Sequence, residues 1–377
     1  MKGIKKLKKV KVLHIVKVLN RGGAETMIMN IFRNIDKNKI QFDFLCLSEK
    51  IGDYEKEILE LGGNIYKLPD PKEQGRFKGL KEVYKLMKKN KYDVVHSHIM
   101  FYNGFINLIA FFAGIKKRIS HSHNSADLKK ETILRKLYMH ISRFMINTFS
   151  NVKIACGKDA GEYLYGKRRK YIIINNAIDL EKYINVIEED KNNLMKELNI
   201  KENELIIGNV GRFDRVKNQE FLIELAKELV KQNKCNFKII LVGQGERFDF
   251  IRNKIIDENL EKYFIMTGLR KDIPIFMNIF DVFIMPSLHE GFPLVVVEAL
   301  AGDNICFLSN NIPIETNIID SRVHFFNLKD NKSDLINDIY NELENKKYIN
   351  LEEELTKKGF SIKNMVKQIS QIYQIDD

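Results

Sequence analysis

Short apolar runs alternate along the chain with stretches whose apolar residues return every three or four positions. The runs KVLHIV (11–16), FDFLCLS (42–48), NIYKL (64–68), DVVHSH (93–98), RISHSH (118–123), NVKIAC (151–156) and YIIINN (171–176) resemble strands buried on both faces of a parallel sheet. Between the early ones, AETMIMNIFRNI, DYEKEILELG, GLKEVYKLMKKN and YNGFINLIAFFAG carry helical spacing. Such alternation requires right-handed crossovers and gives a doubly wound α/β sheet. The pattern then restarts. After the charged stretch VIEEDKNNLMKELNIKENE, read as a linker with a short helix, come LIIGNVG (205–211), FKIILVG (237–243), YFIMTG (263–268), DVFIMPS (281–287), ICFLSN (305–310) and VHFFN (323–327). Helices are predicted at about 218–231, 246–258 and 294–301, while 328–360 reads only as solvated helix. The chain thus reads as two Rossmann-like domains, 1–180 and 181–360. A closing helix in 361–377 is free to pack on either, including back on the first.

A length of 377 residues suits two domains, and 44% hydrophobic residues suit a globular chain. The four cysteines are far apart and form no C-x-x-C pair, which excludes a disulfide framework and a zinc ribbon and fits a reducing cytoplasm. The N-terminus lacks the pattern of a secretion signal. The longest apolar stretch, Ile99 to Ile115, is interrupted by Asn103, Gly104 and Asn107 and is shorter than the ~20 residues of a membrane span. The reading is a cytoplasmic protein. Charge changes that picture slightly: residues 1–180 carry a net +19 and the remainder −7. The first half is either a set of solvated Lys-rich helices or a surface that attracts anionic lipid or nucleic acid.

Ligands of doubly wound sheets sit beyond the carboxyl ends of the strands, and two such domains face each other across a deep cleft. The candidate residues follow strands. NRGGAET places Gly22 and Gly23 before a helix, where the backbone can approach an anion, although a Gly-Gly pair is often only a tight turn. It is not the G-x-G-x-x-G of a dinucleotide site. RFDRVKN places Arg212 and Lys217 around one turn, a pair suited to a diphosphate or equally to solvent. In PSLHEGFPLVVVEALA, Glu290 lies in a loop and Glu298 in the helix that follows Gly291 and Pro293. The free N–H groups of that helix can face a phosphate, and both carboxylates can accept from sugar hydroxyls. Glu298 lies among apolar residues and so needs a partner. His96, His98, His121 and His123 flank two strand ends. No carboxylate or cysteine completes a metal set, so a polar or acid–base role for His123 is the stronger reading, with the other three as scaffold. No D-x-D occurs, so the usual carboxylate pair for a metal–diphosphate is missing.

Together the RGGAE loop, DVVHSH, His123-Asn124, NNAID, GNVGRFDRVKN, LVGQGE and HEGFPLVVVE resemble the retaining glycosyltransferases of family 4, which have the GT-B fold. The likeness runs over nearly the whole chain. RISHSHN with RGGAE is similar to the branch that makes bacterial capsular and exopolysaccharides. The resemblance implies a nucleotide-sugar donor, usually a UDP-sugar, and a lipid-diphosphate-linked or oligosaccharide acceptor. It implies no metal or other cofactor. Arg212 and Lys217 would neutralise the donor diphosphate. Glu290 would hold the sugar hydroxyls, Glu298 the ribose, and the amides of Phe292 and Leu294 after Gly291 the sugar and phosphate. Gly22 and Gly23 would admit the diphosphate, His123 would adjoin the transferred sugar, and Gly243 and Gly245 would shape the turn near the base. Transfer would proceed by same-face attack, the leaving diphosphate taking the acceptor proton, after domain closure.

The pattern departs at Ala177, where the family commonly has Gly, and at Asp303-Asn304, expected to alter contacts below the donor sugar. A basic first domain suits a lipid-linked acceptor, with Lys116, Lys117, Arg118, Lys129, Lys130, Arg135, Lys136 and 167–170 as candidate membrane contacts and no nucleic-acid signature. The rival readings are a GT-B nucleotide-sugar epimerase and a catalytically silent nucleotide-sugar-binding subunit. Retained Glu290, Arg212 and Lys217 weigh against the silent subunit.

Overall fold

The computed structural model describes residues 9–69, 75–124 and 132–374. The chain divides into two units, one running to Ala177 and resuming at Ile362, the other spanning Ile178–Ser361. The division falls just ahead of residue 180 because Ala177 belongs to one core and Ile178 to the other.

In the first unit the strands are β1 (Val10–Val16), β2 (Ile40–Cys46), β3 (Asn64–Lys67), β4 (Val94–Ser97), β5 (Lys117–Ser122), β6 (Val152–Ala155) and β7 (Ile172–Ile173). All neighbours pair parallel, in the order β3-β2-β1-β4-β5-β6-β7. The helices are α1 (Gly23–Asn34), α2 (Glu55–Glu60), α3 (Arg76–Asn90), α4 (Asn103–Phe112), α5 (Ile133–Phe149) and α6 (Lys158–Tyr165). Strand alternation feeds two cores. Val12, Phe42, Phe44 and Val94 face α1, whereas Leu13, Ile15, Leu45 and Val95 face α3 and α4. The sequence pattern did not resolve α5 and α6. Helix α5 buries little beyond Ser142 and Ile146, and its Ile133, Leu134, Leu137, Ile141 and Phe144 are exposed, so its apolar residues mark two sides instead of one.

The second unit contains β8 (Leu205–Val210), β9 (Phe237–Val242), β10 (Phe264–Gly268), β11 (Val282–Met285), β12 (Ile305–Ser309) and β13 (Val323–Phe326), ordered β10-β9-β8-β11-β12-β13. Its helices are α7 (Leu180–Ile184), α8 (Glu188–Glu197), α9 (Glu220–Gln232), α10 (Phe248–Asp257), α11 (Ile273–Ile279), α12 (Leu294–Ala301), α13 (Lys332–Glu344) and α14 (Leu351–Lys357). The last two are not merely solvated: Leu335, Ile336 and Ile339 pack under β13, and Leu351 and Leu355 join the core beside α12. The closing helix α15 (Ile362–Tyr373) lies in the first unit, where Ile362, Met365, Ile369 and Tyr373 share the core with α1.

Candidate functional site

In the second unit strand order reverses between β8 and β11, the crevice where such sheets bind ligands. Two loops leave the carboxyl ends of these strands and are laced together. Asn218 Nδ2 donates to Pro286 O at 3.0 Å and Leu288 N to Val216 O at 2.7 Å. The Asp214 carboxylate accepts from the amides of Val216 and Lys217, and Gln219 Nε2 donates to Arg212 O, which fixes the first loop internally. Sequence reading missed Asp214, Asn218 and Gln219 because each acts on backbone and not on a ligand. Their signal was a cluster of turn-forming side chains directly after a strand.

The lacing brings Lys217 and Glu290 together, with Nζ 2.6 Å from Oε1 and both side chains largely buried. Arg212, on the same loop, points an exposed side chain outward. Gly291 is exposed with open space around its Cα, and Phe292 stacks on Phe360 at 5.6 Å. Pro293 caps α12, so the Leu294 amide is among the helix's unbonded N-terminal donors, with the Phe292 amide just before them. A cation and a carboxylate therefore pair at this crevice, Glu290 lying a few residues ahead of the α12 N-terminus in sequence.

Glu298 is half-buried on α12, and burial holds its carboxyl above the ordinary range despite a hydrogen bond from Tyr183. Tyr183 is the partner its apolar surroundings demanded, supplied by α7, a short helix the sequence did not single out. Gly243 has a concrete steric role. Its φ of +140° is open to glycine, and a Cβ there would lie 1.9 Å from Gly211 O, so it lets the ends of β8 and β9 close up behind the Arg212 loop. Asp303 and Asn304 precede β12, at the amino edge of the sheet, away from the ligand edge. Asn304 Nδ2 donates to Met277 O and Ala299 O, and Asp303 pairs with Arg322 and Lys346. The expectation that this pair alters donor-sugar contacts is corrected: it closes the C-terminus of α12.

In the first unit the reversal lies between β1 and β4. Gly22 caps α1, and Gly23 is exposed with no atom near the position of a side chain. A Cβ on Gly22 would lie 2.5 Å from the Glu25 carboxylate, whose pKa burial raises. Glu25 thus covers this turn, a role that the motif RGGAE carried unassigned.

The four expected histidines converge with a fifth, His14 of β1, paired in register with His96 of β4. Their nitrogens touch: His98 Nδ1 and His123 Nε2 are 2.8 Å apart, His14 Nδ1 and His98 Nε2 3.1 Å, and His96 Nε2 and His121 Nδ1 3.0 Å. Burial lowers His123 to about 4 and His14 to about 3. It also lowers His96, His98 and His121 well below 6.5, with each other's charge as a lesser cause. His123 is therefore a neutral imidazole near pH 7. Depending on its tautomer, its Nδ1 can accept or donate one hydrogen bond. Two triads, His14/His96/His98 and His98/His121/His123, hold nitrogens within 4.8 Å, without a carboxylate in either.

The chain thus consists of two doubly wound units, the second with the Lys217–Glu290 pair at its strand-order reversal. Residues 21–182 match the model of the family described as Glycosyltransferase Family 4, and residues 190–361 that of Glycosyl transferases group 1. The chain belongs to these glycosyltransferases and is an enzyme that transfers hexosyl groups. It is 37% identical over 310 residues to EpsF of Bacillus subtilis, covering 80% of this chain and 79% of that one. The capsular polysaccharide biosynthesis glycosyltransferase CapH of Staphylococcus aureus is 30% identical, covering 80% and 82%. An Escherichia coli UDP-Gal:α-D-GlcNAc-diphosphoundecaprenol α-1,3-galactosyltransferase is 28% identical, covering 80% of each. Among solved structures, Anabaena HepE in complex with UDP superposes with a TM-score of 0.78 at 17% identity, covering 96% and 99%. That likeness shows the shared GT-B fold.

Proposed function

We propose that the chain moves a hexosyl or N-acetylhexosaminyl group, with retention, from a UDP-sugar to a lipid-diphosphate-linked acceptor in capsular or exopolysaccharide synthesis. The observation that carries it is the Lys217–Glu290 pair, set beside the α12 N-terminus at the β8/β11 reversal. The bond from the anomeric carbon to the β-phosphate oxygen breaks, and a bond to the acceptor oxygen forms on the same face. The acceptor proton passes to the departing diphosphate. Lys217, Arg212 and the helix amides stabilise that leaving charge, while Glu290 holds sugar hydroxyls and, through Lys217, keeps the cation in place. Glu298, tethered by Tyr183, meets the ribose. None of these steps draws on a metal ion. The UDP donor and the diphosphoundecaprenol acceptor are supported by the names of the Escherichia coli galactosyltransferase and the HepE–UDP complex. Incubation with labelled UDP-sugars and an undecaprenyl-diphosphate N-acetylhexosamine is the test. An α-linked lipid product without added metal is expected. Failure of every donor to label the lipid would overturn the reading.

The same reading places the enzyme at the inner face of the cytoplasmic membrane through its first unit. No helix among the described residues is long and apolar enough to cross a membrane. The exposed stripe Ile133, Leu134, Leu137, Ile141 and Phe144 of α5, with exposed Phe111 and Phe112 of α4 and Lys116 and Lys136 nearby in sequence, suits shallow insertion among anionic headgroups. The expected contacts Lys129 and Lys130 lie outside the described residues. Flotation with phosphatidylglycerol vesicles should succeed at low salt and fail after Ile133→Ser/Leu137→Ser/Ile141→Ser. Equal flotation of the triple variant contradicts insertion of α5.

A further inference from the structure

The five histidines and Tyr373 form a single file. Tyr373 Oη is 2.7 Å from His96 Nδ1 and 3.4 Å from His14 Nε2, and so joins the pair His96–His121 to the trio His14–His98–His123. Every junction links the Nε2 side of one ring to the Nδ1 side of the next, or to the tyrosine hydroxyl. Within the file only the two ends, His123 Nδ1 and His121 Nε2, are buried without a partner among the described residues. A neutral imidazole donates from one nitrogen and accepts at the other. The file therefore has two self-consistent arrangements. In one, all five rings carry the proton on Nε2, so His123 Nδ1 is a bare acceptor and the His121 end donates. In the other, all five carry it on Nδ1, and the ends exchange roles. Passing between them moves each internal proton one group along, while one proton enters at one end and one leaves at the other. Within either arm any mixture leaves two donors or two acceptors facing each other in a buried site, and a mixture between the arms, with both rings donating to the tyrosine oxygen, leaves its O–H without an acceptor from the file; each is costly.

We propose that Tyr373, His14, His96, His98 and His121 are positioning residues that set, as one unit, the tautomer of His123. The functional consequence rests on the reading that His123 adjoins the transferred sugar. The tautomer then decides whether His123 Nδ1 offers a donor or an acceptor to a sugar or acceptor hydroxyl. Tyr373 is the keystone. It comes from α15, and its hydroxyl is the hydrogen-bonded link between the two arms, whose rings also lie against each other at His96–His98 (4.2 Å) and His121–His123 (4.1 Å).

The test is 15N NMR of the full chain labelled at histidine, without any sugar donor, so that it stands apart from the activity assay. In the wild type all five rings are expected to be neutral and to share one tautomer. Tyr373→Phe keeps the ring in the core but cuts the file, and His96→Gln cuts it a second way. In each folded variant the nitrogen signals of His123 should move, although neither substituted side chain contacts that ring. In the transfer assay kcat should fall several-fold with KM for the donor little changed, a split that a general loss of fold would not give. Mixed tautomers among the five in the wild type would overturn the relay. So would His123 signals unmoved in both variants, or one equivalent of a divalent metal retained in the cluster. An inactive wild type with one shared tautomer would sink the transferase reading and leave the relay intact.

Discussion

Lys217→Ala is expected to lower kcat/KM by about two to four orders of magnitude, chiefly through kcat. Removing one preorganised charge from a developing anion typically costs that much. Two features of the site push the effect upward. The ammonium lies in a largely enclosed crevice, 2.6 Å from Glu290, where it is poorly screened. Its loss also leaves Glu290 without its partner, a negative group facing the place of an incoming diphosphate. Lys217→Arg should recover part of the rate, because charge returns while the point geometry does not. Arg212→Ala should cost less, since that side chain is exposed and screened by water. Steady-state kinetics on the three variants, with melting curves to show intact folding, checks the order. If Lys217→Ala kept wild-type kcat, the pair would be only a clasp between two loops.

The second large effect is acid unfolding of the first unit between pH 7 and pH 5. His14 and His123 are held to about 3 and about 4 by burial, and His96, His98 and His121 lie well below 6.5 for the same first reason. In the unfolded chain all five titrate near 6.5. The folded values being the lower ones, the unfolded state binds more protons below pH 6.5, and stability falls as pH falls through that value. Each group contributes about 1.4 kcal/mol per pH unit, so His14 and His123 alone lose on the order of 4 kcal/mol by pH 5, a large part of the stability of a domain, and His96, His98 and His121 act in the same direction. Glu25, whose raised carboxyl works in the opposite sense, is one group against five. Circular dichroism and tyrosine fluorescence against pH should show a transition with steep proton uptake before pH 5. An unchanged melting temperature from pH 7 to pH 5 would mean that the histidines are already charged or solvated.

How much of this was legible beforehand follows from what each segment buries. Most strands could be read from sequence because a parallel strand buried on two faces is apolar almost throughout, as VFIM is; β7 is exposed and was legible only as the apolar run YIIINN. Helix α5 could not, because its exposed Ile133, Leu137 and Ile141 mimic a buried stripe and confuse the face on which periodicity depends. In the site, Arg212, Lys217, Glu290 and Glu298 announced themselves as charges placed against local apolar or glycine context. The partners that organise them did not. Tyr183 reaches Glu298 from a segment more than a hundred residues earlier, and Gln219 looks like any helix-start residue until its amide is seen on Arg212 O. The histidine file shows the same limit more sharply. Period-two spacing placed His96 with His98 and His121 with His123, yet His14 and Tyr373 join them only through sheet register and the return of α15.

On the proposed function, the loops after β8 and β11 form the seat of a uridine diphosphate. Titrating UDP into the wild type, without metal, and following thermal unfolding tests it most directly, because a ligand of the folded state raises Tm with concentration. A dose-dependent rise is expected that disappears in Lys217→Ala and weakens in Glu298→Gln. A rise of equal size in both variants, or none in the wild type up to millimolar UDP, would contradict it.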